Sequence, residues 1–115
     1  MKSNLGDKAR LLHIKDSIDE IQNAIGNKSF DEFVNNHVLR IAIVKWLEII
    51  GEASNNISGE TISKAQNIEW KNIIGMRNFV VHEYFGINYD IIWKTVHSEL
   101  GDLKKTVEIV IKDFE

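Results

Sequence analysis

The sequence predicts an all-α protein, an antiparallel up-and-down four-helix bundle. Three observations carry that expectation. Apolar residues recur at spacings of three and four over long stretches. There is no proline among the 115 residues to interrupt a helix. The connections between apolar seams are short and polar, and no stretch alternates as a half-buried strand does. The length fits a single domain spanning residues 1–115, enough to bury one core and too little for a second.

The first helix is expected from about Asp7 to Ile25. Leu11, Ile14, Ile18, Ile21 and Ile25 are spaced 3, 4, 3 and 4 and make one apolar seam, with Asp16, Asp19 and Glu20 off it. Gly26-Asn27 is its stop signal. A second helix begins at Ser29, whose spacing to Glu32 forms a capping box, and continues to about Ile57. Leu39, Ile43, Trp46, Ile50, Ala53 and Ile57 form one stripe on it. Phe30, Val34, Ile41 and Val44 lie beside or opposite that stripe. A helix apolar on two faces packs against two things, here the core and a second subunit, so a homodimer is expected. Gly51 in mid-helix costs about 1 kcal/mol relative to Ala, so it marks a close approach or a kink.

Ser58 to Gln66 form a polar connection with room for one short extra helix. Asn67 is placed to cap a third helix carrying Trp70, Ile73, Ile74, Arg77, Val80 and Val81 and ending near Phe85-Gly86. The fourth starts around Asn88 to Asp90 and runs to about Lys112. Its seam is Ile92, Val96, Leu100, Leu103, Val107 and Val110, and Gly101 weakens it locally. The short Phe85 to Tyr89 turn makes the last two helices neighbours.

Composition narrows the function. Without cysteine there are no disulfides and no thiolate metal sites, which fits a reducing, cytoplasmic setting. The first residues lack the apolar run of a signal peptide. The most apolar segment, Ile41 to Ile50, is interrupted by Lys45 and Glu48, so no membrane span is expected. His13, His37 and His97 are scattered without metal-ligand spacing, and no metal or cofactor is expected. The net charge of −3 argues mildly against nucleic acid but leaves room for a local basic cleft.

Chemistry concentrates in one stretch, Met76-Arg77-Asn78-Phe79-Val80-Val81-His82-Glu83-Tyr84. Arginine is a permanent forked donor suited to phosphate, and histidine exchanges protons near neutral pH. Together they are a minimal kit for cutting a phosphodiester without metal. On an ideal helix, at about 100° per residue, Arg77 and Tyr84 share a face while His82 is rotated by roughly 140° from Arg77. Bringing all three together requires the helix to loosen before Gly86, or side chains from two subunits, and a mixture of both is expected. Read blandly, the same residues are a surface arginine, a histidine stabilised by a helix C-terminus, a tyrosine packed at a rim and a solvated Asn78.

The segment from Trp70 to Gly86 resembles the motif of the HepT-like proteins of the HEPN superfamily. There an arginine is followed by a polar residue and then a histidine, with a tyrosine two residues beyond. Arg77, Asn78, His82 and Tyr84 match each position. Ile50-Gly51-Glu52-Ala53 and Ile91-Ile92-Trp93 are similar to further family features, and the likeness extends from Asp7 to about Val110. The resemblance implies a dimeric helical bundle with two motifs facing one cleft. It implies a metal-independent endoribonuclease acting on RNA, the toxin of a toxin–antitoxin pair, with Arg77 and His82 catalytic and Asn78 supporting. Its partner would be a minimal (MNT-type) nucleotidyltransferase antitoxin that transfers AMP to Tyr84. The rival reading is a non-catalytic HEPN module that binds and regulates such a nucleotidyltransferase. A weaker third is a helical dimer with no nucleotide role.

Overall fold

The computed structural model describes residues 6–78 and 89–115. All the regular structure there is helical: α1 (Asp7–Ile25), α2 (Phe30–Val34), α3 (His37–Asn55), α4 (Gly59–Ser63), α5 (Trp70–Gly75), a 3₁₀ turn (Met76–Asn78), α6 (Tyr89–Ser98) and α7 (Leu100–Lys112). The fold is the expected all-α bundle. α1 packs between α3 and α7, α6 packs on α7, and α5 with the 3₁₀ turn lies against α3.

The core follows the seams. Leu11, Ile14, Ile18, Ile21 and Ile25 of α1 are all buried. So are Ile92, Val96, Leu100, Leu103, Val107 and Val110 along α6 and α7. Leu39, Ile43, Val44, Leu47 and Ile50 of α3 complete the centre, with Phe33 beneath α2. The helix ends are as specific as the seams. Ser29 Oγ accepts from the Glu32 N–H at 3.1 Å while Glu32 Oε1 accepts from the Ser29 N–H at 3.0 Å, the reciprocal capping box. Gly26 takes a positive φ of 48° and ends α1, where a Cβ would be strained.

Three expected boundaries move. The helix expected from Ser29 to Ile57 is two helices, α2 and α3, parted at Asn35-Asn36. Asn36 turns its side chain back to accept from the Leu39 N–H at 3.0 Å, so it starts a new helix instead of continuing the old one. Asn67 does not cap the third helix. α5 begins at Trp70, and the Asn67 amide donates instead to Thr106 Oγ1 on α7 at 3.0 Å. The fourth helix divides at Glu99, beside Gly101. There Ser98 and His97 aim their side chains at the carbonyls of Lys94 and Trp93 four residues back, competing with the backbone ladder. The short helix expected between Ser58 and Gln66 is α4, capped by Ser58.

One buried charge ties the ends of the bundle together. The Asp7 carboxylate at the start of α1 is fully enclosed. It accepts from the Ser58 N–H at 3.1 Å, from the Ser58 hydroxyl at 2.6 Å and from the Thr61 hydroxyl, with Arg10 Nη1 3.8 Å away. Burial alone would raise its pKa. The hydrogen bonds from Ser58 and Thr61, helped by Arg10, outweigh that and hold the carboxyl below its ordinary value. On the opposite flank, Asp19 of α1 receives Lys104 of α7 at 2.7 Å and Lys15 at 3.0 Å, a half-exposed clamp of smaller worth.

A group whose pKa falls on folding stabilises the protein above its unfolded pKa, about 3.9 for Asp, and loses that contribution as pH drops through the lowered folded value. Asp7→Asn is therefore expected to cost about 2 kcal/mol at pH 7. Denaturant titrations at a series of pH values should show the gap between wild type and variant closing below about pH 4. A gap that stays constant down to strongly acid pH would show that Asp7 acts by shape and not by charge.

Candidate active site

The arginine of the motif is held by backbone, not by its own side chain. Met76 of the 3₁₀ turn is buried at 1% exposure and anchors the turn in the core. On the facing side of α3 stands Gly51. A Cβ there would lie 2.5 Å from the Arg77 nitrogen, 2.9 Å from the Ile74 carbonyl oxygen and 3.1 Å from the Arg77 Cβ. Gly51 is thus the close approach that its mid-helix position suggested, and α3 and the motif turn meet main chain to main chain. Arg77 itself is half-buried and Asn78 is exposed.

The guanidinium has a partner on α3, next to Gly51. Arg77 Nη1 is 3.6 Å from Glu52 Oε1, with the two side chains 38% and 56% exposed. That separation is an ion pair without a good hydrogen bond. In so solvated a setting it orients the arginine and adds little stability. A phosphate, which accepts a bidentate hydrogen bond from arginine, can compete for the same guanidinium. Glu52 was legible only as a carboxylate of open role, and its pairing with Arg77 emerges from the fold.

His82 and Tyr84 lie outside the described residues, as does the expected helix end near Phe85-Gly86. What the structure does show is that the regular α-helix gives way to a 3₁₀ turn at Met76, before the motif histidine is reached. The rotation of roughly 140° between Arg77 and His82 assumed an unbroken helix, and that assumption lapses at Met76. Where the description resumes, Tyr89 opens α6 inside an aromatic cluster. Its ring meets Phe33 edge-on at 6.0 Å, and Arg40 of α3 lies over it at 5.2 Å. Phe30, Phe33 and Trp93 pack around the same point. Both flanks of the motif segment are therefore pinned, one to Gly51 and the other to Phe33 and Arg40. The Tyr89 anchor had no signal in the sequence, because its partners come from α2 and α3 and share no periodicity with it.

Trp46, Trp70 and Trp93 are partly buried packing residues, and the Trp70 indole donates to the Ala65 carbonyl at 2.8 Å. Lys71 and Lys94 are exposed. No helix among the described residues is long and apolar enough to cross a membrane.

The family model described as "Ribonuclease HepT-like" matches residues 14–110. The chain belongs to the HepT-like family. It is 41% identical over 103 residues to "Putative RNase MJ1380" of Methanocaldococcus jannaschii, covering 90% of this chain and 94% of that one. It is also 41% identical over 102 residues to "Putative RNase TTE0752" of Caldanaerobacter subterraneus, at 89% and 91% coverage. To "Probable ribonuclease HepT" of Thermococcus cleftensis it is 33% identical over 101 residues, at 88% and 92% coverage. No solved structure matches the chain at a significant level.

The Gly51 contact separates two opposing effects of one substitution. Helix propensity favours Gly→Ala by about 1 kcal/mol, whereas forcing a methyl group into a filled space costs about 1–3 kcal/mol. At Gly51 the obstacle is backbone, which puts the cost at the upper end of that range, so Gly51→Ala should destabilise by up to about 2 kcal/mol net. At Gly101, where nothing lies within 4 Å of the added Cβ, Gly→Ala should stabilise by up to about 1 kcal/mol. Chemical denaturation of the two variants checks this. Equal and stabilising effects would mean that α3 and the motif turn are not in contact.

Proposed function

We propose that this chain is a metal-independent endoribonuclease, the toxin of a toxin–antitoxin pair, with Arg77 and His82 as its catalytic residues. The observation that carries the reading is the joint one. The chain matches the ribonuclease HepT-like family over residues 14–110, and Arg77-Asn78 sits on a half-exposed turn fixed to α3.

The chemistry follows from the residue types. The RNA 2′-hydroxyl attacks the adjacent phosphorus, the bond to the 5′ oxygen breaks, and a 2′,3′-cyclic phosphate and a 5′-hydroxyl result. His82 removes the 2′-hydroxyl proton, and a second His82, from the other subunit of a homodimer, protonates the departing 5′ oxygen. Arg77 exchanges Glu52 for the phosphate and balances the charge growing on the non-bridging oxygens. Asn78, exposed beside it, donates to the phosphate or orients His82. Surface character supports a homodimer: Val38 and Ile41, one turn apart on α3, are 76% and 50% exposed.

Control is assigned to Tyr84. An MNT-type nucleotidyltransferase antitoxin would direct the tyrosine oxygen onto the α-phosphorus of ATP, release pyrophosphate and leave AMP esterified to the ring. The adduct adds bulk and negative charge beside the place Arg77 holds for substrate, and excludes RNA by sterics and repulsion. A second reading, a non-catalytic module that binds the nucleotidyltransferase, draws on two observations: the net charge of −3 and the carboxylate already facing Arg77.

In excess EDTA, unmodified wild type should cleave RNA to cyclic-phosphate ends, and Arg77→Ala and His82→Ala should each lose at least about 100-fold in rate. Folded, unmodified wild type that cuts no RNA would favour the binding module. Mass spectrometry after treatment with the partner and ATP should place AMP on the peptide holding Tyr84 and not on the Tyr84→Phe protein. Modification that survives Tyr84→Phe would remove that assignment.

A further inference from the structure

We propose that the groove between the first turns of α1 and the C-terminal half of α3 is a nucleotide subsite, holding one base and phosphate of the RNA strand beside the bond that is cut. The proposal rests on the ribonuclease reading and adds a binding surface to it. The groove is shallow and open to solvent, and offers about 430 Å³, within the range of roughly 300–1,000 Å³ typical of small-ligand clefts.

Its floor and rim differ in chemistry. Ala9, Ala53 and Ile49 give an apolar surface with little side-chain relief, suited to the flat face of a base. At the α1 rim stand Arg10 and His13. Arginine and histidine planes stack on bases, and arginine also grips phosphate. Arg10 is held at the mouth, because its guanidinium packs over Gly6, where a Cβ would come within 2.7 Å of Nη1, and Asp7 faces it at 3.8 Å. At the α3 rim, Asn56 donates its Nδ2 to the Glu52 carbonyl at 2.9 Å, which fixes the amide and directs its oxygen as an acceptor for a base edge.

The groove is continuous with the motif. Glu52 lines it and is the same residue whose carboxylate lies 3.6 Å from Arg77. A strand whose phosphate displaces Glu52 from Arg77 leaves that carboxylate beside the groove, where it can accept from a base amino group. The exposed apolar pair, Val38 and Ile41, lies toward the other end of α3, roughly 12–16 Å along the helix axis from Ile49. The groove is thus apart from that pair, and its polar rim of Arg10, His13, Glu52 and Asn56 fits a nucleotide.

Ala9 is exposed, so Ala9→Trp fills the groove without entering the core, and His13→Ala removes one rim plane. The probe is a fluorescent hexaribonucleotide, 2′-O-methylated so that it cannot be cut, compared with a dinucleotide of the same chemistry. Wild type should bind the hexamer more tightly than the dinucleotide, and each variant should weaken hexamer binding by about tenfold while shrinking that length dependence. Hexamer affinity unchanged in both folded variants overturns the subsite. So does a change of oligomeric state in Ala9→Trp with RNA affinity intact, which would make the groove a contact between copies. Cleavage of unmodified RNA by wild type is scored in parallel. Cutting with unaltered variant binding removes the subsite alone. Variant-sensitive binding without cutting removes the ribonuclease reading and leaves the subsite. No binding of the hexamer by wild type removes the subsite whatever the cleavage result.

Discussion

The contact between Gly51 and Arg77 is the constraint around which the candidate site is organised. Two stretches of main chain approach so closely that no Cβ fits between them. Backbone contacts of this kind are stiff, because no rotamer can swing away to absorb a displacement. The position of the motif turn is therefore inherited from α3. α3 is in turn fixed by Leu39, Ile43, Leu47 and Ile50, all within the core. Placement of a candidate phosphate ligand thus comes from the aliphatic packing that fixes α3. The ion pair with Glu52 only trims the direction of a guanidinium already in place.

The ends of the bundle are secured by a different kind of interaction. Asp7, fully buried, gathers donors from Ser58 and Thr61, some fifty residues later in the chain. It ties the start of α1 to the cap of α4. The same first turn of α1 presents Arg10 and His13 to the groove beside Glu52. The charge that closes the fold thus also sets the angle at which the basic rim faces α3, so architecture and electrostatics share one anchor.

What could be read from the sequence was what depends on periodicity or local chemistry. The α1 seam and the α6–α7 seam are buried residue for residue, and the Ser29–Glu32 box forms as its spacing requires. The motif arginine and its neighbour were identifiable by residue type, and Gly51 by its cost in a helix. The errors came where a polar side chain had two possible employers. Asn36 takes up a new cap and divides the long second helix, while Asn67 reaches across to Thr106. Neither choice shows in a one-dimensional pattern, because each depends on what lies opposite in space. The same holds for the Tyr89 cluster and for the pairing of Glu52 with Arg77. His82 and Tyr84 remain assignments by family likeness and residue chemistry.

The backbone nature of the Gly51 contact bears on how such a chain changes over time. Position 77 contributes its peptide nitrogen and Cβ to the scaffold, and every residue type other than glycine supplies both. Its guanidinium is outside the core. Chemistry and architecture are separable here: the side chain can be exchanged while the joint stays closed. A lineage built on this frame can change the side chain at position 77 without reopening the joint between α3 and the turn.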